Sequence, residues 1–522
     1  MVVDDPTTDG ESCCSSSLST HSLHMRSALK DCSELMERLR ELLHLKSTDD
    51  TCYKLDAEDI EQLSLMNNKH HIQQLFHSAW LASGKIEQER EVGLRGLHEM
   101  LPDLDIVHVD ENGWYREGDE DNVSNIPLTP SDFKQKYCFR NVPCIIRGFD
   151  ELHFKNVSLN WKKTETTITD PTSSESRINT SWFERYVGED TIVPVRIDGT
   201  KTELDEDGRA EECTTKMMSL KDWIASCQQQ SRNQEEVLRE YLKDWHLVQF
   251  LQSKQSSDDD VSSAIPLYKT PEYFERDILN NFLEKYSDGG EFKFVYWGPS
   301  GSITRLHSDV LHSFSWSYNV IGSKKWTFYI PNSISGSSNN SDDNTSRSVE
   351  VIQNTGETIF VSSKIKHEVV NLVETLSINH NWITSANIDN TWQCICSEIE
   401  AIEGEINEWG IVPVDDFEAR ENMLRGCIGL DVTTFFLMIL LEVSEILVLV
   451  LPLIDEMSEN DSEIYDSVRS IYSLVKVLGE VSNCKEAAQR LEAVLGSKTR
   501  AIQADGLATF VMDLSDVLKD PL

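Results

Sequence analysis

Two short segments alternate between apolar and polar residues without a break, and they constrain the fold more than anything else in the chain. From Ser313 to Val320, Phe314, Trp316, Tyr318 and Val320 fall on one side, and Ser313, Ser315, Ser317 and Asn319 on the other. The pattern returns further on, with Leu376, Ile378, His380 and Trp382 set against Ser377, Asn379 and Asn381. A period of two belongs to a strand, whose successive side chains point to opposite faces. An antiparallel sheet with one wet face would explain either segment alone. Taken with the ligand-type residues that flank them, two polar faces made of hydroxyls and amides predict a small β-barrel with a polar interior.

Immediately before the first segment runs Gly298-Pro-Ser-Gly-Ser-Ile-Thr-Arg-Leu-His307-Ser-Asp309. A His and an Asp two apart on a strand share a face, so one segment offers an imidazole and a carboxylate to one ion. With His367 from a distant strand they would form a two-histidine, one-carboxylate facial triad, which leaves positions on Fe(II) open for a cosubstrate and oxygen. The spacing alone proves little, because His108-Val109-Asp110 has it too. His312 and His380 are fallback ligands, but parity puts each on the apolar face of its strand, where a structural histidine is expected. Lys324 follows the turn glycine Gly322 and opens the next strand. It is either a solvated edge lysine or an inward ammonium able to hold the distal carboxylate of a dicarboxylate.

Several segments together resemble the jumonji C family. They are Pro143-Cys-Ile-Ile-Arg-Gly148, Tyr241-Leu-Lys-Asp-Trp-His-Leu247, Phe294-Val-Tyr-Trp-Gly-Pro299, His307-x-Asp309, Ser313-Phe-Ser-Trp-Ser317, Lys324-Lys-Trp326 and Ser377-Ile-Asn-His-Asn-Trp382. The likeness runs over roughly residues 125–455. It implies a mainly β catalytic core, a double-stranded β-helix of the cupin or jelly-roll type, with helical regions at both ends. It also implies a dioxygenase that uses Fe(II), 2-oxoglutarate and O2. Within the family the nearest subgroup is described as protein lysyl hydroxylases acting on the translation termination (peptide chain release) factor. By the same resemblance His307, Asp309 and His367 are the iron ligands, and Lys324 and Thr304 bind the cosubstrate. Asn381 lies near the iron and the cosubstrate, and Ser315 and Ser317 are candidates for a remaining polar contact. One departure stands out: the family usually places a proline, a glycine and a tryptophan before the third ligand, where this chain reads Val361-Ser-Ser-Lys-Ile-Lys-His367. Supporting residues orient metal ligands, so a non-catalytic cupin-like interaction protein is one alternative. Histone lysine demethylation, with the same iron chemistry, is the other.

The 522 residues exceed one compact core. A tail over 1–22 is expected to be disordered, because its Ser-, Cys- and Asp-rich sequence offers little apolar surface. Residues 23–105 are expected to be helical and of unknown role. The oxygenase domain is expected over 125–395, with insertions near 253–263 and 332–348, and a helical region over 396–522. Those last helices offer a route to a homodimer. Acidic residues outnumber basic ones 89 to 48, for a net charge of −41. Such a balance disfavours direct nucleic-acid binding, which needs clustered Lys and Arg, and suits a basic protein partner. Twelve cysteines make no paired Cys-x-x-Cys framework, as expected of free thiols in a reducing compartment. The first residues lack a signal-peptide pattern, so the cytoplasm, and with it the nucleus, is the expected location. Phe435 to Leu453 is strongly apolar, but Glu442, Ser444 and Glu445 interrupt it, so a buried helix is expected rather than a membrane span.

Overall fold

The computed structural model describes residues 105–110, 113–116, 129–167, 170–197, 214–232, 239–255, 267–286, 292–330, 347–410, 412 and 416–450, with scattered positions between 467 and 487. The expected tail, almost all of the helical N-terminal region and all but the last two residues of the 332–348 insertion lie outside these residues. So does most of 253–263, whose first residues end the helix Leu247–Gln255. The chain divides into two compact units, one containing Ser78–Asp277 and Glu291–Glu403, the other containing Ile278–Gly290 and Gly404–Leu522.

The first unit is built on β-sheets. Its early strands are β1 (Asp105–Asp110), β2 (Gly113–Arg116), β3 (Cys144–Arg147), β4 (Lys162–Thr167), β5 (Asp170–Ile178), β6 (Ile192–Ile197), β7 (Thr214–Ser219) and β8 (Glu240–Trp245). There follow β9 (Lys293–Gly298), β10 (Ile303–His307), β11 (Phe314–Ile321), β12 (Lys324–Ile330), β13 (Arg347–Gln353), β14 (Thr358–Val361), β15 (Lys366–Asn371) and β16 (Thr375–Trp382). A ten-stranded sheet runs β2-β1-β3-β14-β11-β16-β9-β8-β6-β7, a four-stranded sheet runs β10-β15-β12-β13, and β4 and β5 form a separate ribbon. From β10 onward the chain passes repeatedly between the larger and the smaller sheet, as a jelly roll requires. Gly322 makes the step from β11 to β12 with φ 92°, and a Cβ there would lie 2.4 Å from the carbonyl oxygen of Glu374. Only glycine fits such a close left-handed turn.

The alternation read in β11 and β16 decides what each face of the larger sheet does. Phe314, Trp316, Tyr318, Val320, Leu376, Ile378 and Trp382 join a large aromatic core with Phe133, Phe154, Trp161, Phe183 and Trp223 from the flanking helical segments. The opposite face looks toward the smaller sheet, and a second core of Trp326, Phe328, Val351, Val369, Ile145, Ile359 and Val361 fills part of the space between them. The hydroxyls and amides of β11 and β16 therefore line the remainder of that interior.

In the second unit the apolar segment forms the helix Val432–Val450, which packs against Ile278–Tyr286. Phe435, Phe436, Met438, Ile439 and Val443 are buried. Among the described residues no helix is long and apolar enough to cross a membrane.

Candidate metal centre

His307 closes β10 and His367 sits directly opposite it on β15, so the antiparallel register alone brings the two imidazoles together. Their ring centroids are 4.4 Å apart. Asp309 lies just past the end of β10 but stays extended, with φ −60° and ψ 145°, which preserves the alternation expected of a His-x-Asp pair. One ligand atom from each of His307, Asp309 and His367 falls within 4.8 Å of the other two. Beyond Asp309 the chain turns back through Leu311 and His312, both left-handed at φ 58° and 47°.

Both histidines are oriented by their own strands. His307 Nδ1 is 2.8 Å from the carbonyl oxygen of Arg305, and His367 Nδ1 is 3.2 Å from that of Ile365. A carbonyl accepts only, so each Nδ1 carries a proton, and Nε2 of the neutral ring is the atom left to a metal. Burial lowers the pKa of His367, Asp309 opposes the shift and His307 adds to it. The neutral imidazole so favoured is the form that ligates. Ser315 Oγ donates to Asp309 Oδ2 at 2.7 Å. Ser315, expected beside the cosubstrate, thus holds the carboxylate ligand.

The missing proline, glycine and tryptophan have local replacements. Asn141 clasps the backbone of Ser363, donating from Nδ2 to its carbonyl at 3.0 Å and accepting its N–H at 2.8 Å. The Ser363 hydroxyl donates to the carbonyl of His312 and accepts from Asn390 Nδ2. Lys364 supplies the left-handed residue, with φ 65°, and its ammonium bonds to Gln393. Sequence reasoning missed Asn141, whose 222-residue separation from Ser363 leaves no local signal.

Lys324 points inward: it is 2% exposed, and its Nζ donates to Ser377 Oγ at 2.6 Å. Desolvation, with a smaller contribution from the charge of Lys243, pulls its pKa down to about 7. The solvated-edge alternative is excluded. Thr304, three residues before His307, would fall on the other face of a regular strand. A register shift between them sets Thr304 opposite Val369 and His307 opposite His367, three residues against two, which returns both to one face. Asn381 pairs with Ser315 and donates to Ser313 Oγ at 3.1 Å, beside the carboxylate ligand. The Ser317 hydroxyl is buried with no hydrogen-bond partner. Two imidazoles and a carboxylate suit iron, and an inward ammonium with an orphaned hydroxyl suits the carboxylate and keto groups of 2-oxoglutarate.

The fallback histidines are engaged elsewhere. His380 is buried, 2.6 Å from the Tyr268 hydroxyl, with its ring 4.1 Å from that of Trp316. His312 is not on a strand as parity suggested. It ends a 3-10 turn, where its Nδ1 meets the carbonyl of Asn390 at 3.2 Å. The decoy pair His108 and Asp110 lies on β1, beside the edge strand β2.

No family model matches the chain. Among curated proteins, the chicken (Gallus gallus) 2-oxoglutarate and iron-dependent oxygenase JMJD4 is 35% identical over 217 residues, 38% of this chain and 48% of that protein. The mouse (Mus musculus) protein of the same name is 29% identical over 329 residues, 59% of this chain and 70% of that protein. An Arabidopsis thaliana protein named arginine-specific demethylase JMJ20 is 28% identical over 353 residues, 61% of this chain and 69% of the relative. The match thus spans about half the length of the chicken relative. With its jelly-roll core and its His-Asp-His cluster, the chain is similar to these 2-oxoglutarate and iron-dependent oxygenases.

Proposed function

We propose that this chain is an Fe(II)- and 2-oxoglutarate-dependent protein hydroxylase whose substrate is a lysine of the translation termination (peptide chain release) factor. The observation that carries the catalytic part is the convergence of His307, Asp309 and His367, with both Nε2 atoms available, in the interior that also holds Lys324. The name shared by the chicken and mouse relatives supports the same chemistry. The substrate rests on the subgroup that the motifs resemble, and the net charge of −41 suits a basic protein partner. The cytoplasm, and also the nucleus, belongs to the same proposal, as does a homodimer through the C-terminal helices.

Bound iron, 2-oxoglutarate and oxygen supply the oxidation, with the cosubstrate decarboxylated to succinate. The protein's own residues do the positioning. His307, Asp309 and His367 would hold the metal. Lys324 would fix the far carboxylate by a charge-assisted bond. No general base is required, and none is assigned.

The test is mass spectrometry of purified release factor after aerobic incubation with the protein, Fe(II) and 2-oxoglutarate, with His307→Ala as control. A gain of one oxygen on a lysine, absent with the variant, is the expected result. No product with iron bound would remove the substrate assignment, and no iron binding would move the reading to a non-catalytic interaction protein. The Arabidopsis relative's name motivates a second reading, removal of a methyl group from arginine. Methylated arginine and lysine peptides in the same assay separate the readings, since demethylation replaces a methyl by hydrogen and lowers peptide mass by one CH2.

A further inference from the structure

Lys243 draws attention because β8 is broken to present it. In the pairing of β8 with β9, Leu242 faces Trp297 and Trp245 faces Val295, three residues against two. Leu242 and Trp245 both belong to the aromatic core, so Lys243 and Asp244 form the bulge between them. Asp244 is left-handed, with φ 56°. Bulges beside active sites re-aim a side chain, and a left-handed non-glycine residue is strain that the surrounding fold must maintain.

The side chain so aimed is buried, only 7% exposed. Its Nζ lies 5.3 Å from the ring centroid of Tyr296 and 5.7 Å from that of Tyr241, two aromatic faces that hold a desolvated cation. Tyr296 pairs directly with Ser377, and Ser377 accepts the hydrogen bond from Lys324. The two lysines therefore bracket one residue pair. The charge of Lys243 is also felt at Lys324, lowering its pKa. A dicarboxylate seated between them would meet a cation from each strand.

We infer that Lys243 is a second cationic contact for the dicarboxylate cosubstrate, working beside Lys324. This rests on the oxygenase reading above. Such an assignment differs from a structural cation in a direct way: its removal weakens the dicarboxylate and leaves the metal site intact.

The test is calorimetric titration of the full chain, loaded with Mn(II), with N-oxalylglycine, a non-reacting dicarboxylate analogue. Lys243→Met is expected to weaken binding about tenfold or more, the loss typical of one charge-assisted contact, with Mn(II) affinity and melting temperature unchanged. Lys243→Arg, which keeps the charge, is expected to hold affinity within a few-fold of the parent. In turnover the loss is expected in KM for 2-oxoglutarate rather than in kcat. If Lys243→Met fails to fold, Lys243→Gln carries the same test with a polar head. Parent-like N-oxalylglycine binding by the uncharged variant overturns the assignment alone. Failure of the parent itself to bind N-oxalylglycine overturns it together with the oxygenase reading.

Discussion

At the scale of single residues, Lys324 makes the sharpest commitments. It is buried against Ser377 with no ion pair among the described residues, so its ammonium is poised for an incoming carboxylate. Lys324→Met is expected to raise KM for 2-oxoglutarate about tenfold or more while Mn(II) binding persists. The pH dependence follows from the sign of its shift. Its folded pKa, about 7, lies below the ordinary 10.5. Between these values the unfolded chain holds the proton that the folded chain has released, so this group makes the ligand-free protein more stable as pH rises. Cosubstrate binding runs the other way. In the role proposed for Lys324 it requires the ammonium, so affinity is expected to fall as pH rises through about 7, with binding there taking up a proton. Calorimetry of N-oxalylglycine binding in buffers of different ionisation enthalpy reads that uptake, and an uptake unchanged in Lys324→Met would refute the assignment. Ser315 makes a different prediction. Its hydroxyl orients Asp309, so Ser315→Ala is expected to lower metal affinity about 10- to 100-fold, the usual cost of losing such support, as measured by metal titration.

At the scale of elements, the turn from β14 to β15 shows how a metal ligand is kept in place after its usual supports are lost. Asn141 satisfies both the N–H and the carbonyl of Ser363, and Ser363 ties the turn to His312 and Asn390. Asn141→Ala strands two buried backbone groups and is expected to cost about 2 kcal/mol or more in denaturant unfolding. Weaker metal binding should accompany it, because His367 follows this turn. Lys364→Gly tests the same turn from the other side. A left-handed lysine costs about 1 kcal/mol relative to glycine, so the variant is expected to match or exceed the parent in stability. The strands on which this site rests were legible because burial on one face writes a period of two into β11 and β16, and the inward residues Ser315, Ser317, Ser377 and Asn381 could be named from parity alone. The irregular parts were not legible. The bulge that aligns Thr304 with His307, the turn that removes His312 from a strand and the clasp from Asn141 all depend on partners far along the chain or on backbone angles that no local pattern encodes.

At the scale of the whole molecule, the sequence marked strands but not their partners. Nothing local indicates that β10 pairs with β15 while β11 pairs with β14 and β16, yet this alternation between two sheets is what places His307 opposite His367. The site is therefore a long-range product of the fold, built from strands joined only through tertiary pairing, and its occupation should stabilise the sheets collectively. Ligands that bind only the folded state at 100 times their Kd add about 2.7 kcal/mol. In a unit of this size that corresponds to a rise of roughly 5 °C in melting temperature. Mn(II) with N-oxalylglycine is expected to produce such a rise in the parent, each component alone less, and neither any rise in His307→Ala. Hydrogen exchange locates the effect: amides of β10, β12 and β15 should gain protection together, because their ladders join the metal ligands to Lys324. Protection confined to the residues that touch the ligand, with no change along those ladders, would mean that the sheets are already rigid and that binding reports only on the pocket.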